Sequence, residues 1–344
     1  VHVEADDPEG DWTREGVFEV DPGVYRIPLP LPHDGLRAVN VYAVTDETGL
    51  VLIDSGWAIE AAREQLGKAL AALGRDLRDV RRFLVTHVHR DHYGLAVALR
   101  RDYGSQVSLG AGEQPTIEML VSPGHRPFLQ HVASLERCGA DDLVTWMLAR
   151  AEEIKHDPTE WDGPDDWLDG TDVTLPERTL RVVPTPGHTQ GHVVFIDTVA
   201  DLFFAGDHVL PHITPSIGFE AATSSLPLGN YMRSLRLVRE LPDRRLLPAH
   251  GPVRPGVHAR VDELLDHHAR RLDEALEVVG PRTLTAFETA GQLTWTRRKK
   301  PFSDLDPFNQ MLAVTETAAH LDVLVAQQRL TVQDIDGVRR YQAP

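Results

Sequence analysis

Four short apolar runs in this chain end alike, each running out into histidine or aspartate: Val85 into His87, Val183 into His188, Ala205 into Asp207 and Leu247 into His250. One histidine after one strand constrains little. Four such endings constrain the fold strongly, because ligands at the ends of several strands converge on one edge of a sheet sandwich. The densest ending is Thr86-His87-Val88-His89-Arg90-Asp91-His92-Tyr93-Gly94, which packs three histidines and a carboxylate into six positions. Phe83-Leu84-Val85 before it is a buried-strand run and residues 95–99 after it open an apolar helical pattern, so the cluster sits on a strand-to-helix connection. Loops held by rigid elements are where chemistry is commonly placed. A solvated polar loop is the plain alternative. Imidazoles and a carboxylate this crowded repel protons and share a need for a cation, which favours a metal site.

Upstream of this cluster, residues 24–28, 40–44 and 50–53 are β-rich runs separated by Asp, Gly and Pro, a meander of adjacent strands. The third ends at Asp54-Ser55-Gly56, and residues 59–73 then show helical periodicity that stops at Gly74. With Val107-Ser108-Leu109 as a further strand, this is the start of an α/β layered fold. From Gly112 to Asp166 the texture turns helical, over 114–121 and 126–155, and reads as an insertion. Its Trp146, Trp161, Trp167, Met119 and Met147 are assigned first to the insertion's own packing and second to a substrate wall. Strands resume at 172–175 and 179–183, followed by the tight loop Pro184-Thr185-Pro186-Gly187-His188-Thr189-Gln190-Gly191-His192. Residues 193–196 and 202–205 form a hairpin ending at Gly206-Asp207-His208. After a helix over 226–241, the strand 245–248 closes on Ala249-His250-Gly251. A long helix over 257–279 carries His267 and His268, which face different ways, cannot chelate together and are expected at the surface or in end packing. The stretch 281–344 holds 285–293, the basic run Arg297-Arg298-Lys299-Lys300, an amphipathic helix over 307–327 and a β-like run over 331–341. It is expected to be a small, mainly helical, winged-helix-like tail.

The totals exclude several classes. At roughly 100 to 200 residues per domain, 344 residues allow one large domain and a small one. The 42% hydrophobic and 25% charged content is ordinary for a soluble globular protein. No apolar run approaches the roughly 20 residues that span a bilayer, and Val1-His2-Val3-Glu4-Ala5-Asp6-Asp7 is acidic where a signal peptide is basic and apolar. A cytoplasmic protein without membrane association is the expectation. The single cysteine, Cys138, rules out an intramolecular disulfide and thiolate-rich zinc sites, and is expected as core filler. A formal charge of −17 repels polyanions, so nucleic acid is disfavoured and the basic run is taken as a solvated turn.

In register and order, Thr86 to His92, the Thr185-Pro186-Gly187-His188-Thr189-Gln190-Gly191-His192 loop, Gly206-Asp207 and Ala249-His250-Gly251 resemble the metallo-β-lactamase superfamily, with a glyoxalase II-like motif set. The resemblance covers 16–272, with 112–166 as the helical insertion and 281–344 as the tail domain. It implies an αββα sandwich with one or two metals at its edge. Carried over by position, it implies one metal bound by His87, His89 and His188, a second by Asp91, His92 and His250, and Asp207 bridging them. Asp91 would also orient the attacking hydroxide. Asp54 would orient a ligand imidazole from beneath, and His192 would serve in hydrogen bonding one layer further out.

Nitrogen and oxygen donors without thiolate suit Zn²⁺ first and also admit Fe or Mn. Two metals about 3.5 to 4 Å apart can hold a bridging hydroxide that is nucleophilic at neutral pH. Since the fold hosts many reactions, function must come from the site. The family's true β-lactamases lack an aspartate where Asp207 stands, whereas its thioesterases, lactonases and nucleases keep one, so β-lactam hydrolysis is disfavoured. Its quorum-sensing lactonases tend to carry a tyrosine soon after that aspartate. Here His208-Val209-Leu210-Pro211-His212 follows, and His212 is a candidate acid. The expected activity is dinuclear hydrolysis of a carboxylic thioester, ester or lactone. A phosphodiesterase or ribonuclease is the alternative, and an iron-dependent sulfur dioxygenase a third. A small-molecule substrate is expected, selected by Trp146 and Met147 of the insertion and Phe219 of the 210–225 loop, and a homodimer is allowed for.

Overall fold

The structure, a computed structural model, describes residues 2–32, 35–46, 49–126, 128–153, 157, 160–220, 222, 224–296 and 298–344. Strands β1 (Val3–Ala5), β2 (Val17–Asp21), β3 (Val24–Pro30), β4 (Ala38–Asp46), β5 (Gly49–Ile53), β6 (Val80–Val85), β7 (Gln106–Gly110) and β8 (Asp166–Leu168) lie side by side in chain order. The meander β2 to β5 is antiparallel; from β5 onward the strands are parallel. Parallel neighbours need a crossover. Helices α1 (Glu60–Ala72) and α2 (Arg90–Tyr103) supply the first two.

β5 shows why these residues make a central strand. Successive side chains point to opposite faces, so Leu50 and Leu52 pack with Leu66 and Leu70 of α1, while Val51 and Ile53 face a core shared with Phe195, Phe204 and Leu247. Both faces are covered, which is why the strand reads as one unbroken apolar run. The second sheet, in the order β13-β12-β11-β10-β9, contains β9 (Val173–Thr174), β10 (Thr179–Pro184), β11 (Val193–Asp197), β12 (Leu202–Gly206) and β13 (Arg245–Pro248). Its outer face is covered by α4 (Leu129–Arg137), α5 (Asp141–Glu153), α6 (Pro227–Glu240), α7 (His258–Val279) and α9 (Pro307–Ala326), through one core containing Ile196, Phe203, Leu235, Leu264 and Leu324. Helices, sheet, sheet, helices: this is the αββα layering.

Several expectations change in detail. The 126–155 helix is two helices, α4 and α5, separated at Gly139, and residues 127 and 154–155 lie outside the described residues. With α3 (Gln114–Leu120), they make the helical part of the 112–166 stretch, whose last residue already belongs to β8. Trp161 does not pack within the insertion. It lies in the first core, its ring stacked at 6.3 Å on Tyr93 of α2, whose hydroxyl donates to the Asp162 carbonyl. Cys138 is buried as expected, and burial pushes its thiol up to about 12.

His268 corrects the surface assignment. It is 1% exposed, 3.2 Å from His320 of α9 and edge-on to Tyr231 of α6, so it joins α6, α7 and α9 at their common contact. The boundary at 272 falls inside α7, and β1 precedes the boundary at 16. The tail contains α8 (Ala286–Ala290), the small pair β14 (Thr294–Trp295) and β15 (Lys300–Pro301), α9, and a hairpin of β16 (Thr331–Ile335) and β17 (Val338–Gln342). Met311 and Leu321 of α9 share the core of the second sheet. Of the basic run, Arg297 lies outside the described residues; Arg298, Lys299 and Lys300 are exposed. Among the described residues no helix is long and apolar enough to cross a membrane.

Candidate metal centre

The strand endings do meet at one edge of the sandwich. β6 stops at Val85, and Thr86 to His89 make the connection. The helix starts earlier than its apolar pattern indicated, so Asp91 and His92 stand in the first turn of α2, with His89 as its N-terminal flanking residue. A carboxylate there is favoured by the positive end of the helix dipole. His188 comes from the loop after β10, Asp207 from the end of β12 and His250 from the end of β13. Gly206 must be glycine: at φ +50 its missing Cβ would fall 2.6 Å from Thr86 Oγ1 and 2.8 Å from His192 Nε2.

Donor atoms of His87, His89 and His188, of His87, His92 and Asp207, and of Asp91, His92 and His250 each lie within 4.8 Å of one another. His89 Nδ1 is 3.0 Å from His87 Nε2 and 3.1 Å from His188 Nε2. The Asp207 carboxylate faces both groups: Oδ2 is 3.5 Å from His188 Nε2, while Oδ1 is 3.6 Å from His92 Nε2 and 3.4 Å from His250 Nε2. Asp91 Oδ2 is 3.3 Å from His250 Nε2.

The far ring nitrogens fix which atom each imidazole presents. His92 Nδ1 donates to Asp54 Oδ2 at 2.9 Å, His188 Nδ1 to the Ser216 carbonyl at 2.8 Å and His250 Nδ1 to the Ala38 carbonyl at 2.7 Å. His87 Nδ1 donates at 3.1 Å to Thr86 Oγ1, whose own proton goes to Asp54. With Nδ1 donating outward, each ring turns its Nε2 inward, where a neutral ring offers a lone pair. His92 Nε2, His250 Nε2 and Asp207 Oδ1 are buried with no hydrogen-bond partner among the described residues. Buried polar atoms are rarely left so. Convergent lone pairs and a shared carboxylate are the donor set that a divalent cation completes.

Charge points the same way. Burial, with the neighbouring imidazoles, drives His87 well below the usual histidine range, and burial lowers His89 to about 3 and His188 to about 4. These rings stay neutral, as ligands must. In the second group burial opposes protonation of His92, but Asp91, Asp54 and Asp207 prevail and raise it to about 10; Asp207 and Asp91 likewise raise His250. Burial disfavours the Asp91 carboxylate, yet His92 and His250 hold it below the carboxylate range. Protons on these two histidines balance the carboxylates in the metal-free chain, and a cation would displace them.

Asp54 sits beneath the ligands in a left-handed conformation, φ 60. It accepts from Thr86 N–H at 2.8 Å as well as from Thr86 Oγ1 and His92. His192 is buried behind the ligands: its Nδ1 is 2.9 Å from Thr185 Oγ1, and its Nε2 accepts the Asp207 N–H at 3.1 Å. His212 is exposed on the rim beside Gly251. Phe219 is half-buried, 4.4 Å from the His131 ring, in the segment whose Ser216 holds His188. Trp146 is half-buried against the second core. Met147 corrects its assignment, since it is 1% exposed inside that core and offers no wall to a substrate.

Other supporting groups lie outside the motifs read from the sequence. Asn40 Nδ2 donates to the carbonyls of Pro248 and Gly251, on either side of His250, and Arg26 donates to Asn40 while pairing with buried Asp6. Glu113 is wholly buried and bonds to Val88 and Thr189, the neighbours of His87 and His188. It follows the end of β7, so the recurrence that marked the ligands, a strand ending in a polar residue, also marked this one.

The model of the metallo-beta-lactamase superfamily matches residues 34–250, and the chain belongs to that family and is a metal-dependent hydrolase. A probable metallo-hydrolase of Bacillus subtilis, YqjP, is 26% identical over 319 residues, spanning 89% of this chain and 92% of that protein. An atrochrysone carboxyl ACP thioesterase of Aspergillus fumigatus is 26% identical over 269 residues, 78% of this chain but 49% of its own length. The metallo-beta-lactamase family protein TTHA1429 of Thermus thermophilus superposes with a TM-score of 0.78 at 28% identity, over 95% of this chain and all of its own.

Proposed function

We propose that this chain hydrolyses a carboxylic thioester or ester, lactones included, with two divalent metal ions held at the sheet edge. The observation that carries the reading is Asp207, whose two oxygens face His188 on one side and His92 and His250 on the other. His87, His89 and His188 would hold one ion, Asp91, His92 and His250 the other, and Asp207 both; the all-N,O donor set suits zinc and admits iron or manganese. Bound there, the ions would lower the pKa of water toward about 7 and polarise the acyl carbonyl. The Asp91 carboxylate, partly exposed among buried ligands and 3.3 Å from His250, orients the attacking water and takes its proton. Asp54, Ser216 and Ala38 hold the imidazole tautomers throughout. His212, on the rim, gives a proton to an alkoxide leaving group; a thiolate needs less help. Phe219 borders the acyl group.

A relative that acts on an acyl-ACP thioester supports the substrate class. Phosphodiester cleavage is the second reading, and the net charge of −17 weighs against it. The test is kcat/KM of metal-quantified protein on an acyl thioester, a lactone, a β-lactam and RNA at low and high salt. Thioester or ester turnover that barely depends on salt is expected. RNA cleavage that falls steeply with salt, without acyl turnover, would replace the proposal.

A further inference from the structure

The structure assigns to Glu113 a positioning role: its carboxylate ties the His87-Val88-His89 turn to the His188-Thr189-Gln190 turn and so sets the spacing of three ligand nitrogens that belong to two separate loops. One oxygen, Oε1, accepts from Val88 N–H at 3.3 Å and from Thr189 Oγ1 at 2.5 Å. Val88 lies between two ligand histidines, and Thr189 directly follows the third. Among the described residues no backbone hydrogen bond joins these two turns directly, so the carboxylate is a direct polar tie between them. The side chain is 0% exposed and Oε2 has no partner among the described residues. Burying a carboxyl at such cost needs a return, and here the return is alignment of the ligand loops.

The backbone is shaped to bring Glu113 in. A Cβ at Gly110 would fall 1.9 Å from the Gly191 carbonyl oxygen, one at Gly112 would fall 2.6 Å from that of Gln190, and one at Gly191 would fall 2.1 Å from Glu113 N. The 110–113 turn and the 190–191 turn interlock at glycine distance. Glu220 Oε1 accepts Gln190 N–H at 2.6 Å. Two buried carboxyl groups therefore hold the His188 turn, Glu113 at Thr189 and Glu220 at Gln190.

This inference rests on reading His87, His89 and His188 as a metal triad. The test is Co²⁺ titration of the full chain against a competing chelator, following both affinity and the visible ligand-field spectrum. Variants are Glu113→Gln, which keeps an oxygen to accept both bonds, Glu113→Ala, which removes it, and Thr189→Val, which removes one donor at constant volume. Glu113→Ala is expected to lose about 10- to 100-fold in affinity at one site, with an altered spectrum, as do other residues that hold ligands in place. Thr189→Val should lose less, and Glu113→Gln should stay within about threefold of the parent chain. If Glu113→Ala does not fold, Thr189→Val against the parent decides. Unchanged affinity and spectrum in a folded Glu113→Ala or Thr189→Val, with only the melting temperature lowered, would overturn the positioning role. Failure of the parent chain itself to bind Co²⁺ would overturn the metal reading, and this inference with it.

Discussion

Replacing Asp54 by Asn isolates the support beneath the ligands. The substitution is chosen for the backbone: at φ 60 asparagine is tolerated about as well as aspartate, whereas alanine would add strain of its own. Asp54 accepts from Thr86 N–H, Thr86 Oγ1 and His92 Nδ1 at 2.8 to 2.9 Å. Asparagine has one acceptor oxygen. If that oxygen keeps the Thr86 pair, the amide N–H₂ meets the proton on His92 Nδ1. His92 must then lose the bond or shift its proton to Nε2, which removes the lone pair it offers to a metal. A hydrogen bond to a charged acceptor is worth about 1.5–3 kcal/mol, or roughly 10- to 100-fold in affinity at 1.4 kcal/mol per tenfold. The assay is Zn²⁺ titration against a chelator, resolving the two binding steps. One step should weaken by that factor, while the His87, His89 and His188 step shifts by less than about threefold. Equal affinities in the parent chain and Asp54→Asn at both steps would refute the reasoning, as would loss confined to the triad.

Two further outcomes concern pH. His320 is buried and lowered to about 3 by burial, against an ordinary 6.5. The unfolded chain therefore takes up protons that the folded chain refuses, and stability present above 6.5 is lost as pH falls toward 3. At pH 5.5 this group alone accounts for about 1.4 kcal/mol, so His320→Leu should flatten the acid limb of urea unfolding by nearly one proton; an unchanged slope would contradict the burial argument. At the metal site the sign reverses. His92, raised to about 10, must give up a proton to bind a cation, so affinity at the Asp91, His92 and His250 group should rise by about tenfold per pH unit between 6.5 and 8.5 from this proton alone, after correction for the chelator, and more steeply where His250 also gives one up. Affinity that stays flat with pH would exclude a protonated His92.

Much of the layering was legible because each central strand is apolar on both faces, as at β5 and β6, and because four strand ends carry the metal-seeking residues. The candidate ligands could be picked out for the same reason, and their donor atoms do come together at one sheet edge. The supporting groups are harder to read. Asn40 reaches the His250 turn from a strand about two hundred residues away, and no local pattern encodes that. Adjacent histidines on a helix face different ways, which argues against chelation and leaves surface or end packing as the expectation for His268, but α9 covers α7 there and buries it. Met147 and Trp161 were grouped by sequence proximity, while the fold sends one to the second core and the other to the first. Helical periodicity shows that a face is apolar without showing what it meets.

The central claim is that two metal ions, joined through Asp207, act together on an acyl bond. It is tested most directly by titrating Zn²⁺ into metal-free protein while following thioester turnover and bound metal together. Turnover that rises with the second equivalent and levels off at two ions per chain, and that Asp207→Ala abolishes along with at least one of the ions, is the expected result. Binding that stops at one ion per chain, with turnover already complete, would contradict it.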